Sequence, residues 1–256
     1  MAKHFKQTTR KTSTLIYIVL IALIIIAAIY IVFFIKGRNE TIQESNALNN
    51  VKIDEAKVDT QTTERMLQVQ ELQKENPDVV GWIEIEGTNI NYPVLQGTDN
   101  SYYMTHNYKK EETKDGSIFL DKDYDWSIPS SNLLMYGHNM GDGAMFQDLL
   151  KYENEEFYKQ HPIVRFTTAT EDAEYEIISA FKSRVYYKSE KNVFRYYYFV
   201  NANNEQEYND FVNNAKKSSI YDTGVNANYG DQLLTLSTCE YSQEDGRFVV
   251  VAKKIN

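Results

Sequence analysis

Residues 233–255 read LLTLSTCEYSQEDGRFVVVAKKI. Two apolar runs flank a polar segment, EYSQEDG (240–246), that ends on glycine. Aliphatic and β-branched runs bounded by such a segment are the signature of two strands joined by a turn. Leu233, Leu234 and Leu236 can bury the first strand, and RFVVVAKKI (247–255) forms the second. The only cysteine of the chain, Cys239, stands where the first strand runs out, and Arg247 opens the next. If the two strands pair across the turn, Arg247 returns close to Cys239.

The same pattern extends upstream. From Val79 the chain breaks into short strand-like pieces separated by turn residues: VVGWIEIEG (79–87), INYPVLQG (90–97), GSIFLD (116–121), SNLLMYGH (131–138), IVRFTT (163–168) and the longer AEYEIISAFKSRVYY (173–187). Pro93 lacks an amide hydrogen and predicts an edge or strand-start position for the second piece. With the 233–255 pair, the count is eight strands. Helical spacing of apolar residues predicts three helices: 63–76, closed by Asn76-Pro77, Ala144–Tyr152, and Asn204–Ser218 with Tyr208, Phe211, Val212 and Ala215 on one face. The expected fold is mixed but mainly β: an eight-stranded, closed or nearly closed barrel with an N-terminal helix and a helix in a late strand connection. The tyrosine cluster Tyr196–Tyr198 is expected to suit a sheet surface without further function.

Ahead of this body, residues 15–35 (LIYIVLIALIIIAAIYIVFFI) hold no charge and no proline. About 20 apolar residues are enough to cross the hydrocarbon core of a bilayer. A cleaved signal peptide has a shorter apolar run and a small-residue cleavage site. Here the run leads through Phe33 and Phe34 straight to Lys36 and Arg38, so a retained anchor is expected. Four basic residues precede the span and two follow it, which places the N-terminus in the cytoplasm and the body outside. The expected organisation is a cytoplasmic N-terminus at 1–14, an anchor at 15–35, a stalk or disordered linker at 36–62, and a folded domain at 63–256. The first 38 residues contain 6 of the 27 basic side chains and none of the 36 acidic ones, so the remainder carries a formal charge of −15. Such a surface repels phosphate backbones and sets nucleic acid aside as a partner.

A lone thiol outside the membrane makes no internal disulfide. It pairs between molecules, lies buried and inert, or works as a nucleophile. In the last case it needs a cation or proton acceptor nearby. Of four histidines, His4 precedes the span, His161 stands before a proline at a helix–strand junction, and His106 falls in a polar loop. His138 differs: like Cys239, it emerges from the end of an apolar strand, here behind Gly137. Arg247 either pairs with Glu244 or Asp245 or presents a fixed guanidinium to a thiolate or oxyanion. Asp121, Asp123 and Asp125 alternate in DKDYD and are expected to be solvated turn residues. No metal site and no cofactor site is legible.

Together, Tyr136-Gly137-His138, Thr235-Leu236-Ser237-Thr238-Cys239 and Arg247, in that order, resemble the sortase family. The helix at 204–218 and the segments DVVGWIEIEGTNINYPV, GSIFLD and MFQDLLKY look like class B members, and the resemblance covers roughly residues 65–255. It implies a membrane-anchored cysteine transpeptidase with catalytic residues Cys239, His138 and Arg247. Its substrates would be exported proteins with a C-terminal sorting motif of the LPxTG or NPxTN type, and its acceptor a cell-wall amine. Ser237, Thr238 and Glu240, which flank the cysteine, are expected by analogy to contact substrate. The alternatives are another extracytoplasmic cysteine peptidase and a non-catalytic tethered binding module. In papain-like peptidases the cysteine precedes the histidine and opens a helix, whereas Cys239 follows His138 and ends a strand.

Overall fold

A computed structural model describes residues 16–33, 35–36, 48, 63–128 and 130–256. Residues 1–14 and nearly all of the expected stalk, together with Leu15 and Phe34 of the expected anchor, lie outside the described residues. The chain divides into two units, Met1–Val51 and Lys52–Asn256.

The first unit contains helix α1 (Ile16–Phe33), 18 residues with a mean hydropathy of 3.2. At 1.5 Å per residue it is about 27 Å long, close to the thickness of a bilayer core. It is long and apolar enough to cross a membrane.

The second unit opens with α2 (Glu64–Glu75), whose Thr63 hydroxyl accepts from the Met66 amide at 3.3 Å and so caps the first turn. Leu67, Val69 and Leu72 bury its inner face. The Arg65 guanidinium lies 4.4 Å over the Trp82 ring, and Gln70 donates to the Ala169 carbonyl at 2.7 Å. Eight strands follow: β1 (Val79–Glu84), β2 (Asn91–Leu95), β3 (Ile118–Leu120), β4 (Asn132–Tyr136), β5 (Ile163–Thr167), β6 (Asp172–Arg184), β7 (Leu233–Cys239) and β8 (Gly246–Lys254). They close into a barrel in the order β1-β2-β3-β4-β7-β8-β6-β5. Closure leaves no edge for Pro93, which instead stands inside β2 opposite Trp82. It is tolerated because pairing of β2 with β3 begins only at Val94.

Two short helices join β4 to β5: a 3-10 helix at Gln147–Glu153, where the sequence predicts an α-helix, and α3 (Glu155–Gln160), which the sequence did not announce. The late helix α4 (Glu205–Ser218) starts on its Asn204 cap and buries Tyr208, Phe211, Val212 and Ala215 as expected. It explains why β7 and β8 are buried on both faces. Leu234, Leu236, Phe248 and Val250 fill the barrel interior, whereas Leu233, Val249 and Val251 pack outside it with Phe211 and Val212 of α4. The parity of each strand thereby sorts its side chains, with Ser237, Cys239 and Arg247 on the outer set.

Candidate active site

Strands β7 and β8 pair antiparallel with Cys239 directly opposite Arg247. Residues directly opposite in such a ladder project to the same face. The connecting turn is tight: the Gly246 amide donates to the Gln243 carbonyl, and the Glu240 amide donates to the Gly246 carbonyl at 3.0 Å. A Cβ on Gly246 would lie 2.2 Å from the Glu240 oxygen, so only glycine fits there. On the other side β7 pairs parallel with β4, Ser237 against Tyr136, and the Gly137 amide donates to the Ser237 carbonyl at 3.2 Å. His138 therefore leaves β4 level with Cys239. A Cβ on Gly137 would meet Ile118 Cδ1 at 2.3 Å and the Phe146 ring at 2.8 Å, so any other residue there would have to displace both.

These strand exits frame a cavity of about 250 Å³. Phe119, Val185, Tyr196 and Tyr197 give it apolar walls, and Cys239, His138, Arg247 and Thr238 line it as well. Cys239 is partly exposed and in no disulfide. His138 Nε2 lies 2.7 Å from the Met104 carbonyl. A carbonyl oxygen only accepts, so Nε2 carries the hydrogen. Arg247 donates through Nη1 to the carbonyls of Gly246 (2.8 Å) and Asp245 (3.3 Å), which fixes the guanidinium on its own turn. Among the described residues no carboxylate forms an ion pair with it.

The flanking residues differ in their placement. Ser237 is buried, and its hydroxyl shares a 2.7 Å hydrogen bond with the buried Tyr196 hydroxyl. Thr238 lines the cavity, and its Oγ1 is buried without a hydrogen-bond partner. Glu240 turns elsewhere. Its carboxylate accepts from the Ser242 hydroxyl at 2.6 Å and the Ser242 amide at 3.1 Å, and pairs with Lys182 at 3.4 Å. Burial would raise the Glu240 carboxyl, but the Ser242 bonds and Lys182 outweigh it and hold the group below the ordinary value.

Several residues in and behind the cavity wall carried no signal in the sequence. Asp121, expected to be solvated, is buried and accepts from Tyr136 Oη at 3.0 Å and from Asn100 Nδ2 at 2.8 Å. Burial first, and then the neighbouring Asp121 carboxylate, push the Tyr136 hydroxyl far up, so it stays a donor. Tyr196–Tyr198 form a 3-10 turn rather than sheet surface, and the first two face the cavity. Their role depends on the 185–204 connection folding over β7, which no local pattern announces. The other two histidines of this unit lie in structural settings. His106 stacks on Tyr102 at 4.0 Å, and His161 Nδ1 lies 2.8 Å from the Glu86 carbonyl.

Comparison with known proteins agrees with this geometry. The Sortase domain family model matches residues 83–255. Sortase B of Staphylococcus aureus is 37% identical over 190 residues, covering 73% of this chain and 75% of that protein. Sortase B of Listeria monocytogenes is 35% identical over 220 residues, covering 82% and 86%. Among solved structures, a Staphylococcus aureus sortase B–substrate complex superposes with a TM-score of 0.65 at 36% identity, covering 74% of this chain and 85% of that one. Sortase B from Bacillus anthracis gives 0.70 at 32% identity, covering 87% and 98%. The closed barrel with Cys239 and Arg247 side by side at its rim thus belongs to a chain of the sortase family, a sortase B-type cysteine transpeptidase.

Proposed function

We propose that Cys239, His138 and Arg247 catalyse acyl transfer from exported proteins that carry an LPxTG- or NPxTN-like sorting motif to a cell-wall amine. One observation carries the assignment: two ladder registers bring a thiol, an imidazole and a guanidinium from three strand ends to one cavity. The Cys239 thiolate attacks the carbonyl of the motif's threonine. The C–N bond breaks as His138, in its imidazolium form, gives the departing amine its proton. Arg247, whose Nη1 is held by the turn, directs its remaining donors to the substrate backbone and the developing oxyanion. The incoming amine then attacks the thioester, His138 takes up its proton, and the thiolate is regenerated with a new amide. The thioester conserves the acyl activation of the cleaved bond, so no nucleotide is consumed.

Of the three flanking residues, Thr238 is the one we assign to substrate contact, because it lines the cavity next to Cys239, with its own hydroxyl buried. Ser237 and Glu240 shape the wall and the turn instead. The solved relatives include a sortase B–substrate complex and a sortase B complexed with triglycine, and both favour a peptide donor and an amine acceptor here. The apolar helix α1, with four basic residues before it, is assigned as a single-pass anchor with a cytoplasmic N-terminus and the barrel outside.

The test is cleavage of fluorogenic peptides bearing either motif by the full-length chain in detergent, beside Cys239→Ala. Cysteine-dependent cleavage with product transfer to an added amine is expected. Cleavage of neither motif by folded protein overturns the proposal, and hydrolysis that no amine diverts identifies a peptidase.

A further inference from the structure

The β4–β7 ladder stops one step short of the residues it has to align. Its last backbone rung runs from the Gly137 amide to the Ser237 carbonyl. In a parallel ladder the next acceptor on β7 is the Cys239 carbonyl, and its donor is the residue-139 amide. The structure fills that rung differently: Asn139 Nδ2 donates to the Cys239 carbonyl at 3.0 Å. The same residue is tied to the cysteine loop a second time, because the Tyr241 hydroxyl donates to the Asn139 carbonyl at 3.2 Å. Behind it, Asn139 Oδ1 accepts from the Gly141 amide at 3.3 Å, and the Phe146 amide holds the His138 carbonyl at 2.9 Å.

We infer that Asn139 is a positioning residue: its side-chain amide sets the separation of His138 from Cys239 and fixes the plane of the Cys239–Glu240 peptide. That peptide is held from both sides. Its carbonyl accepts from Asn139 and its amide donates to the Gly246 carbonyl, on the turn that carries Arg247. One side chain therefore links the exits that bear all three assigned catalytic groups. Proton transfer from His138 to the departing amine depends on this separation, and a misplacement of about 1 Å can cost roughly a hundredfold in rate. Substrate contacts with the apolar walls do not run through Asn139, which is absent from the cavity lining. Its removal is therefore expected to act on kcat rather than on KM. The inference rests on the catalytic assignment above.

The test pairs Asn139→Ala with Asn139→Asp in the full-length chain. Aspartate keeps the size of asparagine but replaces the N–H donor with an oxygen that faces the Cys239 carbonyl. If the side chain only fills space, Asn139→Asp keeps wild-type kcat. As a brace, it falls at least as far as Asn139→Ala, about tenfold to a hundredfold in kcat, with KM within about twofold. Wild-type kcat in Asn139→Asp, or a loss confined to KM, overturns the inference while leaving the transpeptidase assignment intact. A second measurement needs no substrate: hydrogen exchange of the Glu240 amide. It is expected to speed up in Asn139→Asp while the amides of β5 and β6 keep their protection. Unchanged exchange at Glu240 overturns the brace even if no substrate is turned over, and an inactive wild-type chain counts against the transpeptidase assignment alone.

Discussion

The two faces of the β7–β8 pair are made of adjacent residues and behave as different materials. The inner face, with Leu234, Leu236, Phe248 and Val250, is sealed in the barrel core. The outer face starts equally dry, with Leu233, Val249 and Val251 under α4, and then ends in Ser237, Cys239 and Arg247 beside an open cavity. The strand period of two separates the faces, so reactive groups can stand on a scaffold whose rigidity is set by side chains only one residue away. Rigidity comes from the inner face and chemistry from the last outer positions. Substitutions on the two faces should therefore separate stability from turnover.

The largest effect on turnover is expected at the outer end. Cys239→Ala should abolish transfer, with at least about 10⁴-fold loss, while the melting temperature stays within a few degrees; residual transfer near the wild-type rate would break the comparison outright. Arg247→Lys keeps a charge but loses the planar multi-point donor, and about a 10²- to 10³-fold fall in kcat/KM is expected without loss of fold. Near-normal steady-state kinetics in that variant would remove Arg247 from the mechanism. On the inner face the order reverses. Phe248→Ala leaves a cavity in the core and should cost about 3–5 kcal/mol in chemical denaturation, whereas activity per folded molecule changes little.

How much of this was legible in the sequence follows the same division. The strands, their apolar faces and the positions of Cys239, His138 and Arg247 at strand ends rest on local patterns, and the barrel places them accordingly. Pro93 and the helix expected at 144–152 fell out differently, because closure and a tight 3-10 path are tertiary outcomes. The cavity walls were least legible. Tyr196, Tyr197, Asn100 and Met104 reach the site from connections whose path depends on the whole fold, and Asp121 is buried where Tyr136 and Asn100 bond to it.

The smallest effect sharpens the role of Glu240. Its carboxyl is held below the ordinary value of 4.5 in the folded state, so its stabilising contribution is present above that value and fades as pH falls through the lowered one. Glu240→Gln should therefore melt below the wild type at neutral pH, with the gap closing as the solution is acidified below pH 4.5. A gap that does not change with pH would separate Glu240 from the Ser242 and Lys182 contacts that shape the turn.

The most direct test of the outer face as an acyl-transfer site is intact-protein mass spectrometry of the full-length chain mixed with a sorting-motif peptide and quenched in acid. The predicted result is a covalent adduct with the mass of the peptide's acyl portion, mapped to Cys239, that disappears when an amine is added and is replaced by the amide product. Peptide cleavage by Cys239→Ala, or a transfer product formed with no adduct on Cys239 at any time point, would contradict it.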